Sequence, residues 1–281
     1  MFDWIDDAAA EIISNAYRSL FMGVEQLLDT VSVTPQEFMN GVPWTSIMGF
    51  SENCIKPIAW SILTLFLLIE LANVMKRQDS RGMDSIYFIA VIFLKIGCAK
   101  LLMDNIDLII GMIFEISNYI TIQAKEFMSI SSSSIDIEAA IENFTKIVEE
   151  EGTLSKLLDA LFAQILNLAN MIMDAICYII IYLRFIEIFI YCSVGPLPVA
   201  TFPSQEHSTI MKNWIKRLVA QGVHVVLIVA CIYLYTVMIS QNTVVFGGVI
   251  GAFMQVLMYK LMLVIALFQT GGWARSLANA T

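Results

Sequence analysis

Charge is what this chain has least of. Asp, Glu, Lys and Arg make up 15% of its 281 residues, against about 25% in ordinary soluble domains. With 58% hydrophobic residues and a mean hydropathy of +0.74, a soluble globular composition is excluded. Histidine is nearly missing, with only His207 and His224, and there is no HExxH, GxSxG or P-loop pattern. No catalytic constellation, cofactor or metal site is therefore expected. The 16 basic residues are outnumbered by 25 acidic ones, and a net charge of −9 disfavours a general nucleic-acid binder. Cysteine pairing is lacking too. Cys54, Cys98, Cys177, Cys192 and Cys231 lie in or beside apolar runs without a CxxC motif, and read as small packing residues. The amino terminus, MFDWIDDAAAEII, has neither the basic flank nor the short apolar core of a cleaved signal, so it is expected to be retained.

What is there is length of apolar sequence. Several windows reach the roughly 20 residues that cross a hydrocarbon core about 30 Å thick. Five spans are expected, over Cys54–Met75, 86–103, 157–194, 218–240 and 246–268. Lys56 and Pro57 fall in the first turn of the first span, where a proline needs no helical amide partner. The third run is unbroken until Gly195 and Pro196 stop it, and only QNTVV separates the last two spans. The fold class expected is all-α, a polytopic membrane protein of about five transmembrane helices.

Orientation follows from the basic residues. The segments 76–84, 203–217 and 269–281 hold Lys76, Arg77, Arg81, Lys212, Lys216, Arg217 and Arg275, whereas the much longer opposite segments hold Arg18, Lys125 and Lys146. The amino terminus is thus expected outside and the carboxyl terminus inside. Pro196, Pro198 and Pro203 then mark a cytoplasmic helix end, and MKNWIKRL (211–218) its inner-leaflet anchor on membrane lipids.

Spans two and three exceed a bilayer. Span two runs on past Asp104 and Asp107 into 108–122, and span three starts about ten residues early. An antiparallel hairpin leaving the outer face is expected, with the acidic, Ser-rich segment 126–152 at its tip; a re-entrant or sixth element at 108–122 is the alternative. In the first fifty residues Ile5, Ala9, Ile12, Ile13, Ala16, Leu20, Val24, Leu27, Leu28 and Val31 share one helical face. The opposite face is acidic, unlike the basic face of a membrane-surface helix, so packing on protein is expected. The organisation reads as an external helix and loop (1–53), spans one and two (54–103), an external extension (104–160), and spans three to five with their cytoplasmic loop and tail (161–281).

Ionisable groups at membrane depth are costly and need a partner or water. Here they are Glu70, Lys95, Lys100, Asp174, Arg184, Glu187 and Lys260. Arg184 and Glu187, three apart, are able to pair on one helix face. Lys260 has no opposite charge within a turn, and must pair with another helix (Asp174 or Glu187), snorkel, or line an aqueous path. His224 reads as a hydrogen-bond donor between helices. Gly247 and Gly251 have the GxxxG spacing of close helix packing. The Asn143-Phe144-Thr145 and Asn279-Ala280-Thr281 glycosylation patterns receive no role.

The stretch YLRFIEIFIYCSVGPLPVATF, followed by a polar loop and by Trp214 in NWIKRLVAQGVHVV, resembles the TrbL-type polytopic proteins of conjugative type IV secretion systems. The resemblance implies a bacterial inner-membrane channel or scaffold subunit, in several copies about a central axis. Its implied partners are an assembly ATPase, other secretion-system membrane subunits and, transiently, a DNA–protein substrate. Gly195, Pro196 and Trp214 carry the resemblance. A secondary transporter or ion channel, and a permease-like subunit of another complex, are the competing readings.

Overall fold

The computed structural model describes residues 3–77, 84–132, 144–146, 148, 152–240 and 248–279, and among them every regular element is helical. In chain order they are α1 (Asp3–Ser32), a 3-10 turn (Phe38–Gly41), α2 (Val42–Phe50), a π turn (Ser51–Ile55), α3 (Lys56–Arg77), α4 (Asp84–Asp104), α5 (Ile106–Ser132), α6 (Thr153–Ser193), α7 (Pro196–Ala200), α8 (Ser208–Ser240) and α9 (Gly248–Leu277). Arg81, Gly247, the connection 241–245, the last two residues and, of the expected hairpin tip, residues 133–143 (with Asn143), 147 and 149–151 lie outside the described residues.

Five helical stretches among the described residues are long and apolar enough to cross a membrane: Phe38–Lys76, Ile106–Phe127, Ser155–Ala200, Ser208–Ile239 and Gly248–Leu277. The number equals the expected one, but two members differ. The first stretch begins well before Cys54. Helix starts at Val42, behind Gly41, whose φ of 74° and 2.9 Å clearance to the Gln36 carbonyl suit only glycine. Pro57 therefore sits inside a helix and not in its first turn. Proline has no amide to donate and its ring crowds the carbonyl four residues back. The backbone answers by widening: the Lys56 N–H reaches the Ser51 carbonyl, five residues away.

The second difference concerns 86–103. This segment lies in α4, whose first residues are outside those described to the side chain, and the candidate stretch among the described residues is its continuation, Ile106–Phe127. Asn105 alone separates α4 from α5. Its N–H donates to the Leu101 carbonyl at 3.2 Å, and its own carbonyl accepts from Ile109 at 3.2 Å. Helical bonding thus carries through the break, so the chain does not reverse there. α6, with 41 residues, has a contour of about 62 Å, twice the hydrocarbon thickness.

The chain divides into two compact units: Met1–Ser32 with Tyr119–Leu183 and Val225–Gly271, and Val33–Asn118 with Arg184–His224 and Gly272–Thr281. In the first, α1 buries Ala9, Ile13, Ala16, Tyr17, Leu27, Leu28 and Val31, whereas Ile12, expected on the same face, is 40% exposed. Tyr17 stacks on Phe144 with centroids 3.9 Å apart, and Phe253 meets both rings edge-on at 5.5 Å. Burial in this cluster pushes the Tyr17 hydroxyl up to about 12.

The second unit has its own core. Ala59 and Leu63 of α3 and Ala99 and Met103 of α4 meet Ile106, Ile110 and Phe114 of α5, together with Ile188, Cys192, Val199 and Trp214. The Lys56–Asp104 ion pair at 3.1 Å ties the start of α3 to the end of α4, which makes the two antiparallel. Lys100 lies 5.6 Å from the centre of the Trp60 ring, a cation–π distance.

Candidate functional site: buried charges and the Gly-Pro turn

Among the described residues of the first unit one cation is fully enclosed. Lys260 of α9 is 0% exposed, and its Nζ lies 2.6 Å from Asp174 Oδ1 and donates to Asn170 Oδ1 at 2.5 Å. Both partners stand on α6, four residues apart and so on one face. Gly23 of α1 lies against the same carboxylate, where a Cβ would come within 2.8 Å of Asp174 Oδ1. The seam continues on either side. Ser19 donates to Asn167 at 2.7 Å, Tyr178 donates to Gln26 at 3.3 Å, and Lys125 of α5 pairs with Asp29 at 2.7 Å. The recurrence of Asn167, Asn170, Asp174 and Tyr178 at helical spacing along an otherwise greasy α6 was a readable signal for this seam. Gly23 carried none.

In the second unit Arg184 and Glu187 go separate ways. Glu187 is exposed and accepts from Gln221 Nε2 of α8 at 2.7 Å. Arg184 is 2% exposed, its guanidinium carbon lies 4.4 Å from the centre of the Phe185 ring, and among the described residues it forms no ion pair. Glu70, expected at membrane depth in search of a partner, is 4% exposed and accepts the Gln205 backbone N–H at 2.9 Å. It thus clamps the loop that follows the proline turn. Lys95 is half-buried and makes no ion pair among the described residues.

The turn itself is built from its missing amides. Pro196 and Pro198 have no N–H to give, so the last carbonyls of α6 need other donors. Gly195 N–H takes the Cys192 carbonyl at 3.2 Å, and the Trp214 indole Nε1 donates to the Tyr191 carbonyl at 3.1 Å. Gly195 has ordinary helical angles, so its value is in space, not in backbone freedom. A Cβ there would lie 2.6 Å from Ile106 Cδ1 and 2.8 Å from Trp214 Cζ2. Around Trp214, α8 turns Met211, Trp214 and Leu218 inward and leaves Lys212, Lys216 and Arg217 exposed. Gly251 is half-buried beside fully buried Ala252. Among the described residues no group of three or more His, Cys, Asp or Glu side chains could hold a metal ion.

A helical chain with bilayer-length apolar elements and a Trp-braced Gly-Pro turn can now be set beside known proteins. A family model described as TrbL/VirB6 plasmid conjugal transfer like protein matches residues 21–196. The chain belongs to this family. It is a multi-pass bacterial membrane protein and a membrane subunit of a conjugal transfer system. The TrbL/VirB6 match takes in Glu70, Asp174, Arg184, Glu187, Gly195 and Pro196 and ends short of Trp214 and Lys260. It begins within α1, so the family signal extends further towards the amino terminus than the two stretches that carry the resemblance. No curated protein and no solved structure matches the chain.

Two substitutions test these arrangements. Asp174→Ala leaves Lys260 enclosed and uncompensated, and is expected to cost about 3–5 kcal/mol in a detergent unfolding titration. Adding Lys260→Met is expected to recover most of that loss. Gly195→Ala drives a methyl into the Trp214 ring and is expected to cost about 1–3 kcal/mol, with a shift in tryptophan emission that Trp214→Phe abolishes.

Proposed function

We propose that this subunit oligomerises around a central axis and forms the membrane-embedded base of the DNA–protein translocation path in a conjugative type IV secretion machine, acting as channel and scaffold and not as an enzyme. One observation carries the reading. Along α6, Leu157, Leu161, Ile165, Leu168, Ile172, Ile179, Leu183, Ile186 and Ile190 are all exposed, at steps of three, four or seven. That apolar stripe runs for about 50 Å, whereas lipid tails cover only about 30 Å of it. The remainder needs protein against it, because soluble surfaces do not leave apolar strips of this size to water. A second copy, offering the same stripe, supplies such a cover.

The enclosure of Lys260 supports a scaffold over a transporter lined by this residue: a lysine that is paired at 0% exposure does not face an aqueous path within its own subunit. The exposed Lys212, Lys216 and Arg217 above inward-facing Trp214 support a cytoplasmic, inner-leaflet position for the start of α8. The amino terminus is then outside and the carboxyl terminus inside. On this reading the basic face and the Pro-rich turn lie where an assembly ATPase and the other inner-membrane subunits of the machine would dock, and Gly251 packs α9 closely against a neighbouring helix.

In a cysteine-free background, Leu161→Cys and Leu168→Cys are each expected to form inter-subunit disulfides under mild oxidation, and native mass measurement is expected to give a multimer. A strict monomer without cross-links overturns the ring. For orientation, Ser132→Cys is expected to react with an impermeant maleimide added to intact cells and Ser208→Cys to stay silent. The reverse pattern inverts the topology.

A further inference from the structure

Among the described residues of the second unit, five enclosed polar atoms have no hydrogen-bond partner. One is Ser51 Oγ; the other four are Nε and Nη1 of Arg184, Oδ1 of Asn118 and Oε1 of Gln221. Arg184 is 2% exposed and Gln221 6%. The three side chains come from α6, α5 and α8, and two contacts draw those helices to a common level. Gln221 Nε2 donates to Glu187, one turn beyond Arg184. Ser117, next to Asn118, meets Gly222, next to Gln221, so closely that a Cβ on that glycine would lie 2.6 Å from Ser117 Oγ. Each of these four atoms therefore stands within one helical turn of a defined contact.

The chemistry of the set selects its ligand. Two of the atoms are donors on a cation and two are amide carbonyls that need donors. A chloride, carboxylate or phosphate would satisfy Arg184 and leave both carbonyls unmet, since an anion only accepts. A second protein chain does not reach a guanidinium enclosed to this degree. Water accepts from the arginine and donates to the carbonyls, and buried water molecules characteristically make about three such bonds. We propose that Arg184, Asn118 and Gln221 form an internal binding site for water between α5, α6 and α8. The site's role is to keep Arg184 charged inside an apolar bundle where, among the described residues, it forms no ion pair.

The test uses the full-length protein in lipid nanodiscs, exposed to brief X-ray pulses that make hydroxyl radicals from water in place. A radical born on bound water oxidises the adjoining side chain even where bulk solvent is excluded. Phe185, 0% exposed and within 4.4 Å of the Arg184 guanidinium carbon, is the reporter. Phe253, 1% exposed and packed against the Tyr17 and Phe144 rings, is the control. Phe185 is expected to be oxidised several-fold faster than Phe253, and Arg184→Met and Asn118→Leu are each expected to bring it down to the control rate. Equal silence of the two rings in the native protein overturns the proposal, as does undiminished oxidation of Phe185 in both variants.

Discussion

The interaction on which most of the first unit depends is the meeting of Lys260 with Asp174 and Asn170. A lysine ammonium at zero exposure has no water to solvate it, so it must find both charge and hydrogen-bond acceptors among its neighbours. α6 supplies both from a single face, and this fixes the register of α9 against α6. The same carboxylate then bears on α1, because a Cβ at Gly23 would lie 2.8 Å from Asp174 Oδ1 and push that carboxylate away from Lys260. One ion pair thus sets the relative positions of three helices whose apolar faces alone would tolerate sliding. The seam from Ser19 to Asp29 extends that register along α1.

The second unit is ordered by a different scarcity, that of backbone donors. Two prolines in three residues strip the end of α6 of the amides that would have continued it. The structure recruits an indole N–H from α8 to replace one of them, and Glu70 of α3 captures the amide of Gln205 just beyond. The turn is consequently tied to two other helices through groups that cannot be exchanged for apolar ones. Bringing the Trp214 ring that close requires Gly195, so the two positions work as a unit although they lie 19 residues apart in a sequence whose periodicity links neither to the other.

Composition and apolar run length made the helical class, the membrane setting and the break at Gly195-Pro196 legible, because each depends on local sequence. Pro57 was misplaced because a proline reads alike at a helix start and inside a π-widened helix; only the upstream path from Val42 distinguishes them. Arg184 and Glu187 looked like a pair because their spacing permits one. Gln221, distant in sequence, competes successfully for the glutamate, and no local pattern announces such a competitor. For Lys260, Asp174 was one of two partners named beforehand, but the choice between Asp174 and Glu187 required three-dimensional placement.

The joint at Asn105 has a mechanical consequence. The Leu101 carbonyl accepts from both the backbone and the side-chain amide of Asn105, at 3.2 and 2.8 Å, so the joint holds a spare bond. When the axis flexes and the backbone bond lengthens, the side-chain bond still satisfies the carbonyl. Little enthalpy is lost over a range of angles. The helical path thereby acquires a compliant point at one predetermined residue.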